Sequence, residues 1–135
     1  MANNVLDLLL GVDAGKIQKP RKEVKIKSLS EALGQDVVFT VEALTSDQYD
    51  KIQQNSLTIN GKDVDINMQD MQIFTIIEGT VDPNLKSKEL REKFGAPTPK
   101  ELVKTLLLSG EITQLYNIIS ELSGFNENAV QEVKN

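Results

Sequence analysis

No histidine and no cysteine occur among the 135 residues. A histidine-activated nucleophile, a thiolate nucleophile and the usual zinc sites therefore cannot be built. Carboxylates, lysines and hydroxyls remain for chemistry, which leaves a paired-carboxylate hydrolase or an oxygen-ligand metal site open. The absence of cysteine removes any sign of export into an oxidising compartment. No apolar run approaches the roughly 20 residues of a membrane span. VLDLLLGV is also too short for a signal peptide, with acidic Asp7 where basic residues belong. Aromatics are scarce at 4% and hydrophobic residues reach only 39%. The core is thus expected to be Leu, Ile and Val, with Phe39, Phe74, Phe94, Phe125, Tyr49 and Tyr116 as its few large pieces. A net charge of −5 argues against a nucleic-acid partner. The length suits one cytosolic domain spanning 1–135, with no membrane contact.

What is present reads as α+β. Residues 1–19 open with a short amphipathic helix that Asn3 or Asn4 caps and Gly11 ends or interrupts. After Pro20, Val24 and Ile26 alternate with Lys25 and Lys27, and Val37, Phe39, Val41 and Ala43 share a face further on. That period of two predicts half-buried strands, and SLSEALGQD between them is able to form one helical turn. TSDQYDKIQQN carries its own start signal, Thr45 and Gln48 as a capping box. Asn60-Gly61 then suggests a type I′ hairpin turn. NMQDMQIFTIIEG fits a helix with Met71, Phe74 and Ile77 on one face, although its β-branched residues also suit a strand. Asn67 and Gly79 bracket residues 67–79 as start and stop, which favours the helix.

Three helices follow. Leu90 and Phe94 lie one turn apart in SKELREKFG, which Gly95 ends. In APTPKELVKTLLLSG, Thr98 is the cap, Pro99 the first helical residue and Glu101 the other half of a box, with Gly110 as the end. GEITQLYNIISELSG repeats the plan and stops at Gly124, and the two are expected to pack as an αα-hairpin. The chain thus divides into a helix and strand-rich part at 1–66, possessing small β-hairpins, a helical part at 67–126 and a flexible tail at 127–135.

The local motifs exclude more than they offer. DVDINMQD begins like a calcium loop, but Met68 stands where glycine is needed and Phe74 where a bidentate glutamate belongs. Asp63 and Asp65 are then solvent-facing residues of a hairpin strand. KIQKPRKEVKIK is basic but lacks interleaved aromatics for stacking, and lysines on an edge strand discourage edge-to-edge pairing. Glu111, Glu121, Glu127 and Glu132 read as solvated charges, and GVDAGK lacks phosphate-loop spacing. No catalytic, cofactor or metal residue is assigned. The candidate binding surface is apolar instead. Ile112, Leu115, Tyr116, Ile118, Ile119 and Leu122 cover roughly 160° of one helix, and Leu107 with the off-stripe Leu108 precedes them. Such an arc marks either a helix buried on two sides or a groove for a partner helix or a second copy.

The stretch KFGAPTPKELVKTLLLSGEITQLYNIISELSGF with the terminal EVKN resembles the XkdN-like phage tail assembly chaperones of contractile-tailed phages and prophages. KPRKEVKIKSL, VVFTVEAL and TSDQYDKI occur in the order the resemblance leads one to expect. It implies a non-enzymatic helper, without cofactors, in the host cytoplasm and absent from the mature particle. The helper would shield the tape measure protein until tail tube subunits polymerise around it, with self-association as a further expectation. A structural tail or baseplate component retained in the particle is the alternative. The resemblance also implies a longer product made by programmed frameshifting, whose extension recruits tail tube protein. Lys134-Asn135 is encodable as AAA AAC or AAA AAT, which after a valine codon ending in A makes a slippery heptamer.

Overall fold

The computed structural model describes residues 4–133, so Asn3, Lys134 and Asn135, named above as a cap and as a frameshift junction, lie outside the described residues. Helix α1 (Val5–Gly11) starts where the Asn4 side chain accepts the Asp7 N–H at 2.8 Å. A 3-10 turn, Ala14–Lys16, leads into β1 (Arg21–Lys25). Helix α2 (Lys27–Leu33) then separates β1 from β2 (Val38–Glu42). The two strands pair antiparallel, from Arg21 opposite Glu42 to Lys25 opposite Val38, so they are linked by a helix of two turns rather than by a hairpin. Glu42 receives Arg21 at 2.7 Å and Lys19 at 2.9 Å. The hydrogen bond from Lys19, with Arg21 behind it, holds its carboxyl below the usual carboxylate range despite some burial.

Helix α3 (Ser46–Asn55) opens with the capping box expected, each half of the Thr45–Gln48 pair being made. Strands β3 (Leu57–Asn60) and β4 (Asp63–Ile66) form the hairpin. Its central residues are Gly61 and Lys62, one position later than predicted. Only Gly61 has positive φ, at 63°, which is the II′ pattern rather than I′. At the base, the Asn67 N–H donates to Ser56 O at 2.7 Å.

Residues 67–79 do form a helix: α4 (Met68–Gly79) begins under the Asn67 cap. Gly79 is its last residue, and the chain then turns into β5 (Thr80–Asp82), a strand absent from the expectation. β5 pairs antiparallel with β2, giving a sheet of order β1-β2-β5 with the lysine-bearing β1 at an edge. Helices α5 (Lys88–Lys93), α6 (Pro99–Leu106) and α7 (Ser109–Leu122) complete the fold. Gly110 sits inside the first turn of α7, so only Leu107 and Leu108 separate α6 from α7. The two helices succeed one another as predicted, yet neither uses the other as its main packing face. Both lie against α4, which also packs on α3.

That central position explains the composition of α4. Met71, Ile73, Thr75, Ile76, Ile77 and Gly79 are all buried, covering most of its circumference. A helix enclosed by three others needs apolar residues all round, and β-branched side chains are acceptable when packing holds them. The core continues through Phe39 and Val41 of β2 to Leu102, Val103, Leu115 and Ile119, drawing on both parts of the chain. Phe94 and Phe125 are exposed rather than core, although the Phe125 ring lies 4.9 Å from that of Tyr49 and covers the start of α3.

Candidate functional site

The apolar arc of α7 is explained mostly by packing. Leu107, Ile112, Leu115 and Ile119 are buried, held between α4 on one side and the sheet on the other. Tyr116, Ile118 and Leu122 are half-buried, and Ile118 and Leu122 pack on the core cluster. Of the eight residues predicted to meet a partner, only Leu108 stands clear, at 63% exposed. The four buried residues have no free surface to offer, because a three-stranded sheet and α4 together cover an arc wider than one neighbour would. Leu108 is off-stripe for a local reason. It is the residue before α7, and its N–H donates to Glu111 Oε1 at 2.8 Å.

Glu111 was expected to be a solvated charge and is instead a tie between elements. Its oxygens also accept the Ser28 hydroxyl at 2.7 and 2.9 Å and the Ser28 N–H at 3.3 Å. One carboxylate thereby satisfies free amides at the start of both α2 and α7. Burial works against its ionisation, but the hydrogen bonds from Leu108 and Ser28 outweigh it and hold the carboxyl below its usual range.

A concave surface with binding character lies elsewhere, between α3, α4 and the start of α6. It encloses about 330 Å³. Ile52, Phe74, Ile77 and Pro99 supply an apolar floor, with Asn55 at its border. Around it stand Lys51, Lys86 and Lys100, each engaged by a carboxylate. Glu78 lies 2.6 Å from Lys86 and 3.6 Å from Lys51, and Asp70 lies 2.7 Å from Lys100. Burial raises the cost of charging Glu78, but Lys86 and then Lys51 more than offset it, so its carboxyl too is held below the ordinary range. Three cations facing two carboxylates give the rim a slight positive excess.

Both carboxylates of this groove are paired with lysines. Among the described residues, no three acidic side chains converge on a point that a metal ion would fill. No helix among them is long and apolar enough to cross a membrane. Sequence reading missed the groove because its floor comes from three separated segments. Phe74 and Ile77, four and seven residues into the helix after Asp70, were legible only as one helical face.

Comparison with known proteins agrees with the architecture. The chain is 26% identical to the protein YqbN in its crystal structure, with a TM-score of 0.59 over 81% of this chain and 90% of that one. YqbN of Bacillus subtilis is 29% identical in sequence across 91% of this chain and 87% of its own length. The phage-like element PBSX protein XkdN of the same organism is 28% identical across 98% of this chain and 96% of its own. The profile of the phage XkdN-like tail assembly chaperone proteins matches residues 6–135. With all but its first few residues matched, the chain belongs to the XkdN-like family of phage tail assembly chaperones.

Proposed function

We propose that this tail assembly chaperone acts by covering amphipathic helical segments of the tape measure protein in the host cytoplasm before the tail tube forms. The observation that carries the reading is the groove over Phe74, Ile77, Ile52 and Pro99, which is apolar at its floor and rimmed by lysines. An amphipathic helix laid there would bury its apolar stripe and keep its acidic flanks beside Lys51, Lys86 and Lys100. A groove of this size favours reversible contact, which suits a helper that tube subunits must displace. The role needs no catalytic step.

Coexpression with the long coiled-coil partner tests this. The expected result is copurification and a partner that stays soluble only when this chain is present. A partner equally soluble alone would overturn the reading. Mass analysis of purified particles should find this chain missing, since its retention would make it a structural tail or baseplate component. A longer form that recruits tail tube protein requires an A-rich slippery run over the codons of residues 133–135 and an overlapping downstream frame. Reading the gene decides that point.

A further inference from the structure

Two elements outside the core carry apolar faces that stand exposed among the described residues. In the β3–β4 hairpin, Leu57 lies opposite Ile66 and Ile59 opposite Val64. Paired residues share a face and alternate along each strand. The four aliphatic side chains therefore form one face, while Thr58, Asn60, Asp63 and Asp65 form the other. Leu57 is 46%, Ile59 71%, Val64 58% and Ile66 43% exposed. The other element is α1, in which Val5, Leu6, Leu8, Leu9 and Leu10 are between 58% and 75% exposed and no residue is buried. At about 100° per residue these five occupy one broad arc, and Asp7 falls on the opposite side.

We infer that α1 of one copy lies across the apolar face of the β3–β4 hairpin of a second copy, so that the chain self-associates through this exchange. Each element lacks what the other provides. A two-stranded hairpin needs something packed on its apolar face to be stable in water. A helix of seven residues is too short to persist without tertiary packing. A helix over one face of a sheet is a standard way for both to bury their apolar sides. The contact desolvates no charge, because Asp7 points away from it on the helix and Asp63 and Asp65 point away from it on the hairpin. Area selects a second copy as the occupant. Each patch is on the order of 500 Å², as large as a monomer's biggest patch usually is, and one alone falls short of the ~800 Å² per side of a stable complex. A reciprocal exchange engages both patches on each copy, about 1,000 Å² per side, and clears that threshold.

The test uses the full chain alone, so its outcome is independent of tape measure binding. Sedimentation equilibrium over a wide concentration range is expected to show a dimer or higher oligomer. Leu9→Glu in α1 and Ile59→Glu in the hairpin should each raise the dissociation constant more than about tenfold. Neither residue packs in the core, so both variants should still unfold in one cooperative transition, with any loss of circular dichroism confined to the signal of α1 and the hairpin. An equimolar mixture of the two should associate more tightly than either variant alone but more weakly than the parent, because it restores one of the two contacts. A chain that is monomeric at every concentration overturns the inference, whether α1 folds onto its own hairpin or both faces await another protein. Association lost only with Ile59→Glu would mean hairpin-to-hairpin pairing, and lost only with Leu9→Glu would mean α1-to-α1 pairing. Either result also overturns it.

Discussion

Gly79 at the end of α4 and Ile119 in the middle of α7 touch so closely that a Cβ on Gly79 would lie 2.8 Å from Ile119 Cγ2 and 2.9 Å from its Cδ1. The glycine lets α4 and α7 pack closely here, and Ile119 is fully buried, so its side chain has nowhere to retreat. Gly79→Ala should therefore destabilise the fold by about 1–3 kcal/mol through overpacking. Thermal or urea unfolding measures this, and adding Ile119→Val should recover part of the loss non-additively.

Acid should weaken the protein through Glu111, Glu78 and Glu42. All three have folded-state carboxyls held below their usual range. A depressed pKa means the unfolded chain binds the proton first, so the stability these groups contribute is present above the ordinary glutamate value of about 4.3. It is lost as pH falls through the lower folded values. Urea midpoints should be flat near neutrality and decline below about pH 5. Glu111→Gln should lower the neutral midpoint and make the acid decline shallower.

Leu108→Glu and Ile118→Glu should part company. Leu108 is exposed, so its variant should unfold within about 0.5 kcal/mol of the parent. Ile118 packs on the core cluster, and a glutamate there should lower the unfolding midpoint markedly. A strong loss of stability in Leu108→Glu would mean that residue is not the free surface described.

Asn55→Trp should fill the groove without touching the core, since Asn55 is exposed at its border. Copurification with the tape measure protein is expected to fall several-fold while the unfolding midpoint holds. Unchanged copurification would move the binding surface elsewhere.

Thr45→Ala should cost about 0.5–2 kcal/mol, the usual range for a lost helix cap. Both halves of this box are made, with Thr45 Oγ1 accepting the Gln48 N–H at 3.1 Å and Gln48 Oε1 accepting the Thr45 N–H at 2.9 Å.

What could be read without the structure was local. Asn4, Thr45, Asn67 and Thr98 each start a helix by accepting an amide three residues on. The alternation around Phe39 and Val41 marks the central strand by the period its pleat imposes. Such signals act within a turn or two of the chain, so the residues that send them also receive them. The groove was not legible, because Ile52, Phe74 and Pro99 meet only after α3, α4 and α6 have packed.

The sequence by itself determined where the capped helices α3, α4 and α6 begin, which strand carries the core and that histidine and cysteine chemistry is excluded. Side-chain caps, strand period and composition are properties of short segments, and no distant contact alters them. Only the tertiary structure decided that Gly79, besides ending α4, lies hard against Ile119, that Glu111 ties α2 to α7, and that most of the α7 arc is core. In each case the decisive neighbour is distant in the chain, as Ile119 is from Gly79 and Ser28 from Glu111. A pattern that says a face is apolar does not say what will cover it. Burial is settled by whichever elements arrive, and for α7 those were α4 and the sheet, while the β3–β4 hairpin and α1 keep their apolar faces exposed among the described residues.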